Sequence, residues 1–141
     1  VIETKTVEED EDALKSLIVS GASGASEQMK KMRAFEGEKL IGYVEGSMEG
    51  WNNRFRLSNI WVLDFSERSR GVGTALMKPI ERAAEDAGAR MLILETQSCN
   101  ENAIAFYKKN GFEIVGFDLY AYSNDDPERH EVRIEMGKKL H

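Results

Sequence analysis

A short basic turn rich in glycine carries the clearest chemical signal in this sequence. It follows the strand-like run Ile60-Trp61-Val62-Leu63, precedes an amphipathic helix pattern, and reads Arg68-Ser69-Arg70-Gly71-Val72-Gly73. The first backbone N–H groups of a helix lack partners within the helix and carry the positive end of its dipole. Phosphate oxygens bind to such groups, and glycines let a ligand approach the backbone closely. The turn therefore predicts a phosphate-binding site.

Two familiar phosphate-binding motifs do not describe this turn. The dinucleotide fingerprint G-x-G-x-x-G would need a third glycine at the position of Leu76. A P-loop would need the residues G-K-[ST], which occur nowhere in the chain. The pattern that remains is R-x-x-G-x-G between a strand and a helix.

A second block follows at the next strand and helix. The residues from Leu94 to Phe112 read Leu-Glu-Thr-Gln-Ser-Cys-Asn-Glu-Asn-Ala-Ile-Ala-Phe-Tyr-Lys-Lys-Asn-Gly-Phe. This is a strand end, then Asn-x-x-Ala-x-x-x-Tyr on a helix, closed by Gly-Phe. With both blocks present in this order, the chain resembles the GNAT superfamily of N-acetyltransferases. The run from Leu94 to Gln97 is similar more narrowly to the streptothricin acetyltransferase branch, as are Gly116-Phe117-Asp118, Tyr120 and Tyr122.

The resemblance implies a fold, a cosubstrate and a set of contacts. The fold is α+β, with a mixed, mostly antiparallel central sheet flanked by helices, and the cosubstrate is acetyl-CoA, with no metal. Asn100 would bond to the pantetheine arm of the cosubstrate, although it also suits a helix cap. The backbone that would pair with this arm like another strand, and supply an oxyanion donor, belongs to Val62, Leu63 and Asp64. The turn that would bind the pyrophosphate comprises Arg68, Ser69, Arg70, Gly71, Val72, Gly73 and Thr74.

The resemblance also assigns an acid to the second block. Direct attack of an amine on a thioester needs no covalent enzyme intermediate, so the lack of a recognisable Ser-His-Asp or Cys-His arrangement does not argue against catalysis. Tyr107 is the predicted acid that protonates the departing thiolate. Because Phe106 and Tyr107 lie about 100° apart on a helix, we expect Phe106 to face the core with Ala103 and Tyr107 to face the cleft between the strands.

The base that accepts the proton of the amine is open. A primary amine with a pKa near ~10.4 is almost wholly protonated at neutral pH, so a carboxylate or a water chain has to accept a proton. The candidates are Glu95, Asp64 and Asp118. Glu95 follows a buried strand, where partial desolvation would raise its pKa, but it could equally be a strand-end carboxylate that binds nearby backbone N–H groups. We interpret His130 and Cys99 as structural or incidental, and no cluster has metal-ligand spacing.

Apolar periodicity predicts the elements that position these residues. Ahead of the basic turn it predicts a strand from Val1 to Thr6, a helix after Glu8 that buries Leu14, Leu17 and Ile18, a loop from Gly21 to Ser26, a short segment around Met29 and Met32, a hairpin of Met32 to Phe35 with Leu40 to Met48, and a strand from Arg54 to Phe65.

Beyond the turn the pattern continues with a helix from Val72 to Ala87, which Gly88 ends and in which we expect a bend at Pro79. A buried strand from Met91 to Leu94 comes next, and then a helix that a Ser98-Cys99-Asn100-Glu101 capping box opens and Asn110-Gly111 closes. Two final strands, Phe112 to Ala121 and Glu131 to Met136, flank a polar loop at Asn124-Asp125-Asp126-Pro127. This order predicts an α+β fold with a mixed sheet.

Composition restricts the setting. A chain of 141 residues that is 41% hydrophobic suits one domain with one core, residues 1–141. The single Cys99 excludes an internal disulfide and agrees with a reducing, cytoplasmic location. No apolar run approaches the ~20 residues of a membrane span and no signal-peptide pattern occurs, so we expect no membrane association. The net charge of −6 disfavours nucleic acid as a partner. The chain opens on Val1, which leaves open whether its natural start is complete.

The sequence thus predicts an acetyl-CoA-dependent N-acetyltransferase whose acceptor is open. A cleft edged by Glu95, Asp118 and either Glu45 or Glu49 would attract a small cationic amine, such as a streptothricin-like or aminoglycoside-like antibiotic. A polyamine, a protein N-terminus or a lysine is the alternative acceptor. A non-catalytic acyl-CoA-sensing module is the alternative of another class, although a sensor could dispense with Tyr107. The oligomeric state is also open, and a homodimer is compatible with the sequence.

Overall fold

One sheet organises the chain in the computed structural model, which describes residues 3–6, 29–62 and 71–140. Its spatial order is β1-β2-β3-β4-β5-β7-β6, and all neighbours are antiparallel except β4 and β5. Together with the helices, this confirms the predicted α+β fold with a mixed, mostly antiparallel sheet. The strands in the described residues are β1 (Glu3–Thr6), β2 (Met29–Glu36), β3 (Lys39–Glu49), β4 (Arg54–Val62), β5 (Met91–Gln97), β6 (Glu113–Asp118) and β7 (Arg133–Lys139).

The predicted hairpin of β2 and β3 is confirmed. Alternation along β2 buries Met32 and Ala34 and leaves Arg33 between them exposed. Met29 pairs with Ser47 of β3, so it lies within β2 and the separate short segment predicted around Met29 and Met32 is wrong. Because β3 is long, its pairing with β2 begins at Met29 and not at Met32, where the sequence pattern places the start of the strand. The predicted first helix and the end of the Arg54 to Phe65 strand lie outside the described residues.

The helix after the basic turn, α1 (Val72–Asp86), packs on the sheet through one apolar stripe. Fully buried residues recur at every fourth position, Val72, Leu76, Ile80 and Ala84, and Met77 lies buried beside them. Pro79 lies inside the helix, where the missing N–H and the ring cost on the order of 3 kcal/mol in isolation. Burial of the stripe offsets this cost, and the helix continues to the turn that contains Gly88, as predicted.

The predicted capping box at the start of the second helix, α2 (Glu101–Lys109), is wrong. The N-cap is Asn100, whose Oδ1 accepts a hydrogen bond from the Ala103 N–H at 3.3 Å. The Ser98 hydroxyl instead accepts from the Val132 N–H and donates to the His130 carbonyl, both at 3.0 Å. Long-range partners just before β7 thus take the hydroxyl that a local motif assigned to the helix. The preceding strand is as predicted, because residues 91–94 are all buried.

β6 is shorter than the sequence predicts, and the segment that joins it to β7 contains a helical turn. The predicted strand from Phe112 to Ala121 ends at Asp118, where the side-chain Oδ1 accepts from the Tyr120 N–H at 3.0 Å and a turn begins. The predicted polar loop contains one helical turn, α3 (Asp126–Arg129). β7 itself begins at Arg133 and extends past the predicted end at Met136.

Asp126 is the fully buried carboxylate of this segment. It accepts hydrogen bonds from the Tyr122 N–H and the Ser123 hydroxyl, each at 2.8 Å. Burial favours the neutral acid, but these hydrogen bonds outweigh it and lower the pKa of Asp126 below its ordinary value. A polar residue that the sequence assigns to a solvated loop therefore holds the turn that presents Tyr122.

The feature that shapes the site is the divergence of β4 and β5. These parallel strands pair only at Arg54–Met91, Phe55–Leu92 and Arg56–Ile93. Beyond that point, within residues 3–6, 29–62 and 71–140, β4 has only β3 as a neighbour and β5 has only β7. Residues 57–62 of β4 and 94–97 of β5 therefore border a gap within the sheet, which we call the wedge.

Candidate active site

Two cavities open at the wedge, and each takes part of its lining from the unpaired half of β4. The core-side cavity lies on the sheet face against which α1 and α2 pack, measures about 50 Å³, and is lined by Ile60, Trp61, Val62, Gly73, Ala103, Phe106 and Tyr107. The charged cavity measures about 310 Å³ and is lined by Arg56, Leu57, Ser58, Glu95 and Arg133. Strand alternation places Arg56 and Glu95 on the sheet face opposite the buried Phe55 and Leu94, so the charged side chains approach the wedge from the other side.

The start of α1 forms one end of the core-side cavity. Gly71 is the N-cap and has a φ of 80°, in the left-handed region that suits glycine. Within the part of the chain that the structure describes, no side chain caps the helix, and its first turn contains no acidic residue. The first bond inside the helix runs from the Ala75 N–H to the Gly71 carbonyl at 2.9 Å. The N–H groups of residues 72–74 precede that bond, which is the arrangement that accepts an anion at a helix start.

The predicted pyrophosphate turn is described only in part. Gly71, Gly73 and Thr74 lie at the start of α1 as expected, and the Val72 side chain is fully buried, so only the backbone of Val72 is available for the predicted contact. Val62 ends β4 and lines the core-side cavity. The residues of this predicted set that lie outside the described part of the chain are Leu63, Asp64, Arg68, Ser69 and Arg70.

Gly73 has a packing role that the sequence does not reveal. A Cβ atom at this position would lie 2.5 Å from Cζ and 2.6 Å from Cε2 of the Phe106 ring. Such distances are well below van der Waals contact, so α2 can pack on the start of α1 only because residue 73 lacks a side chain. The contact between the two helices therefore requires glycine at position 73, independently of any ligand.

Tyr107 lies deep at the junction of α2, β4 and the start of α1. The residue is 6% exposed and its ring centroid lies 5.5 Å from that of Phe106 and 5.7 Å from that of Phe112. The expected division of faces is wrong, since both Phe106 and Tyr107 line the core-side cavity and Tyr107 is the more buried. Because α2 lies over the wedge, both Phe106 and Tyr107 reach the same cavity from adjacent faces of the helix. The Phe112 ring packs against the ring of Tyr107. The role of Tyr107 as an acid stays a prediction.

Asn100 is an exposed residue at the N-terminus of α2. Its role as a helix cap is confirmed, and its Oδ1 is committed to the Ala103 N–H. The contact with a pantetheine arm that the resemblance implies stays a prediction.

A β-bulge interrupts β4 at the wedge. Leu57 pairs with Gly46 and Asn59 pairs with Glu45, so Ser58 is the extra residue of β4. A bulge bends its strand and redirects the neighbouring side chains. It lies where β4 has already lost β5 as a partner, and Ser58 lines the charged cavity.

Glu95 lines the charged cavity, but not in the environment that the sequence predicts. Its side chain is 46% exposed, and its Oε2 lies 2.7 Å from Nη2 of Arg133. The expected partial desolvation is therefore wrong: alternation turns Glu95 away from the core that buries Leu94 and Thr96. The alternative prediction is that Glu95 binds nearby backbone N–H groups. The partner found in the structure is instead the guanidinium of Arg133. Tyr122 belongs to the same surroundings, because burial and the Glu95 charge raise the pKa of the Tyr122 phenol.

Of the other predicted carboxylates, those within the described residues do not line the charged cavity. Glu49 forms salt bridges with Arg54 at 3.0 Å and Arg56 at 2.9 Å; burial opposes ionisation, but the Arg56 hydrogen bond lowers the pKa of Glu49. Asp118 accepts from the Tyr120 backbone in the turn after β6. The predicted cleft edge is therefore not assembled at the charged cavity: two arginines bind Glu49, and Asp118 holds the turn after β6 through one carboxylate oxygen.

Glu45 is likewise occupied, since it accepts hydrogen bonds from Tyr43 and Asn59. Burial of Tyr43 and the hydrogen bond that its hydroxyl donates to Glu45 raise the pKa of Tyr43 to about 12. The pair lies on β3 and lines neither cavity.

Arg56, Ser58 and Arg133 are site residues that sequence reasoning missed. The spacing of Arg133 and Glu135 on a strand places both on one face, and this was the available signal for Arg133. Among the described residues, no group of three His, Cys, Asp or Glu side chains could hold a metal ion. Of the helices in residues 71–140, none combines the length and apolar composition that crossing a bilayer requires.

Comparison with known proteins agrees with this geometry. A family model for the acetyltransferase (GNAT) family matches residues 6–112. The chain is 40% identical over 82 residues to the uncharacterized N-acetyltransferase YjcF of Bacillus subtilis (strain 168), which covers 57% of this chain and 54% of that protein. It is 41% identical over 85 residues to streptothricin acetyltransferase A of the same organism, which covers 60% of this chain and 47% of that protein. The chain spans about half the length of the curated relatives it matches.

A solved structure gives the same picture in three dimensions. It is that of a Bacillus anthracis str. Ames protein assigned as a streptothricin acetyltransferase, in complex with acetyl coenzyme A. The two structures match with a TM-score of 0.72 and 30% sequence identity, over 81% of this chain and 64% of that chain. The relatives and this neighbour confirm the resemblance to the streptothricin branch that the two sequence blocks predicted.

Proposed function

We infer that this chain, which belongs to the acetyltransferase (GNAT) family, transfers the acetyl group of acetyl-CoA to a primary amine that attacks the thioester directly. The observation that carries the inference is the wedge, because it provides a cavity on each face of the sheet beside the same unpaired stretch of β4. A transfer between two substrates without a covalent enzyme intermediate needs such a place, where donor and acceptor meet from opposite sides.

The donor belongs on the core side. Its pyrophosphate would bind the helix start at residues 68–74, and its pantetheine arm would pair with the backbone at the end of β4. The amine nitrogen bonds to the thioester carbon, the carbon–sulfur bond breaks, and the thiolate takes a proton from Tyr107. Before the attack the ammonium loses one proton to Glu95, directly or through water, and the second nitrogen proton that leaves after the attack passes to solvent, from which Tyr107 regains its proton. A sensor would need the first two contacts but neither proton transfer.

A matched pair of glycine substitutions tests the donor site. Gly71 and Gly88 lie just outside opposite ends of α1, with φ of 80° and 85°, and a Cβ at either would meet no atom within 4 Å. Alanine at either position therefore brings the same backbone strain, about 1–2 kcal/mol. We expect Gly71→Ala to weaken CoA binding about tenfold in calorimetric titration, through misplaced N–H groups, and Gly88→Ala to leave it unchanged. Equal affinities of the two variants would contradict the proposed pyrophosphate site.

The acceptor we propose is a small cationic amine, of which a streptothricin-like antibiotic is one example. The net charge of −6 favours encounter with a cation. Glu95 is the most exposed carboxylate at the charged cavity, and only its Oε2 is bound to Arg133 in the described structure. The similarity to streptothricin acetyltransferase A agrees with this acceptor class. Polyamines and peptide amines are the alternatives that the experiment has to separate.

A panel of amines at two ionic strengths provides that experiment. The acceptors are streptothricin, spermidine, a peptide with a free N-terminus and a monoamine, each with acetyl-CoA and a readout of free thiol. Between about 0.01 M and about 0.15 M salt the Debye length falls from about 30 Å to about 8 Å. We expect the highest kcat/KM for a polycation and a loss of about tenfold at the higher salt, because screening removes the steering attraction.

The Glu95→Gln variant should turn over more slowly, because it lacks the proposed base, and its remaining kcat/KM should depend less on salt, whereas Glu113→Gln should keep both the rate and the salt dependence of the parent. Glu113 is an exposed glutamate of β6 that lines neither cavity. Preference for the peptide, or rates that do not respond to salt, would reject the small cation. No thiol release with any amine would favour the sensor.

A further inference from the structure

The charged cavity is bordered by a continuous row of alternating charges on the sheet face opposite α1 and α2. Arg56 Nε lies 2.9 Å from Glu49 Oε2, and Arg56 Nη1 lies 3.3 Å from Glu135 Oε2. Arg133 Nη2 lies 2.6 Å from Glu135 Oε1 and 2.7 Å from Glu95 Oε2. We call the set Glu49, Arg56, Glu135, Arg133 and Glu95 the charge row. Its central member is Glu135, which contacts both arginines that line the cavity.

Glu135 bridges the sheet where its two halves separate. Arg56 belongs to the last pair of β4 with β5, and Glu135 lies on β7, on the far side of β5. The Arg56–Glu135 contact therefore links β4 to β7 across β5, at the closed end of the wedge. Both side chains are about three-quarters shielded from water, with exposed fractions of 26% and 21%. Arg133 is held more tightly, since both its Nε and its Nη2 donate to Glu135 Oε1.

The row also maintains a pair of like charges. Glu95 and Glu135 are direct cross-strand partners in the antiparallel pair of β5 and β7. Two like charges directly opposite each other destabilise a sheet. Arg133 contacts both carboxylates and offsets this repulsion, and hydrogen bonding to Glu135 together with the two carboxylate charges raises the pKa of its guanidinium. A local arrangement that costs stability and needs such compensation is typical of a functional site.

We propose that Glu135 is a positioning residue for the acceptor: it fixes Arg56 and Arg133, and through Arg133 the carboxylate of Glu95, in the geometry that receives the acceptor amine. This inference rests on the proposed function. Without the Glu135 charge, Arg133 has only Glu95 left as an anionic partner in the row, and it would bind that carboxylate more fully. The acceptor ammonium would then compete with a guanidinium for the one carboxylate that the cavity presents.

The test compares two glutamates that bridge elements of the fold. Glu81 of α1 binds Lys138 of β7 at 2.6 Å, with exposed fractions close to those of the Arg56–Glu135 pair, and it lines neither cavity. We expect Glu135→Gln to raise the acceptor KM about tenfold, which corresponds to the energy of a coupled pair, with the KM for acetyl-CoA unchanged. Glu81→Gln should leave both KM values unchanged. Spermidine and streptothricin serve as acceptors, and thermal unfolding of each variant is followed in parallel.

Glu135→Asp keeps the charge and should give an acceptor KM between those of the parent and Glu135→Gln, which also covers the case in which the glutamine variant does not fold. Acceptor KM values that match those of Glu81→Gln, or a change in acetyl-CoA KM as large as that for the acceptor, would overturn the positioning role while the parent remains an active acetyltransferase. A parent chain that acetylates neither amine would instead overturn the proposed cationic acceptor, and the inference with it.

Discussion

Replacing Tyr107 by phenylalanine is expected to lower kcat by about 10²- to 10⁴-fold, which is the usual contribution of a positioned acid. The substitution removes one hydroxyl and keeps the ring that packs against Phe106 and Phe112. Acetyl-CoA affinity and the unfolding temperature should therefore change little. Steady-state thiol release with the best amine of the panel gives kcat, and calorimetric titration gives the affinity.

Tyr120 offers the matched control for this change. It is a tyrosine that is 60% exposed in the turn after β6, and it lines neither cavity. Tyr120→Phe should leave kcat, acetyl-CoA affinity and stability as they are. A Tyr107→Phe enzyme with the turnover of the parent would transfer the role of acid to another residue or to water.

The second large effect is expected at Gly73. In Gly73→Ala the new Cβ would overlap the Phe106 ring, at 2.5 Å from Cζ, so either the ring or the start of α1 has to move. Overpacking of this kind costs about 1–3 kcal/mol. The ring also lines the core-side cavity of about 50 Å³, so its displacement should narrow the place where the donor arm would lie. We expect a lower unfolding temperature and a loss of CoA affinity of at least about tenfold, measured by thermal unfolding and calorimetric titration.

A second substitution separates crowding of the ring from direct crowding of the ligand. Phe106→Leu removes the ring atoms that meet the new Cβ, so the double variant Gly73→Ala/Phe106→Leu should regain part of both properties relative to Gly73→Ala alone. If the double variant binds CoA no better than Gly73→Ala, the glycine acts through the ligand and not through α2.

The parts of the site that depend on local order could be predicted from the sequence, and the parts that depend on distant packing could not. The helix that begins after Gly71 and the buried strand before Glu95 follow from apolar periodicity and turn residues, which operate over a few positions. Asn100 was identified as a cap for the same reason, although Ser98 was wrongly given that role because a motif cannot reveal the Val132 N–H that binds it.

The contacts that define the charged cavity join residues far apart in the chain. Arg56 and Glu135 are separated by 79 positions, and no local pattern indicates that their strands lie on either side of β5. The same holds for Gly73 and Phe106, where the glycine was interpreted through a ligand because the ring of a later helix was not visible in the sequence. For Glu95, apolar periodicity predicts the strand but not the face on which the side chain lies, and the face decides between desolvation and an ion pair.

The wedge is a sheet edge that the fold keeps inside itself. Exposed edges usually invite pairing with strands of other proteins, and natural sheets cover or distort them. Here residues 57–62 of β4 are open toward β5. Because α2 and the start of α1 flank these residues, another polypeptide strand has little room beside them. Only a slender chain that carries its own amide groups could occupy such an edge through main-chain hydrogen bonds, which do not depend on the side chains of the strand. Substitutions at Leu57 and Ser58, which line the charged cavity, would therefore change the acceptor side while the main-chain groups of β4 stay in place for the donor.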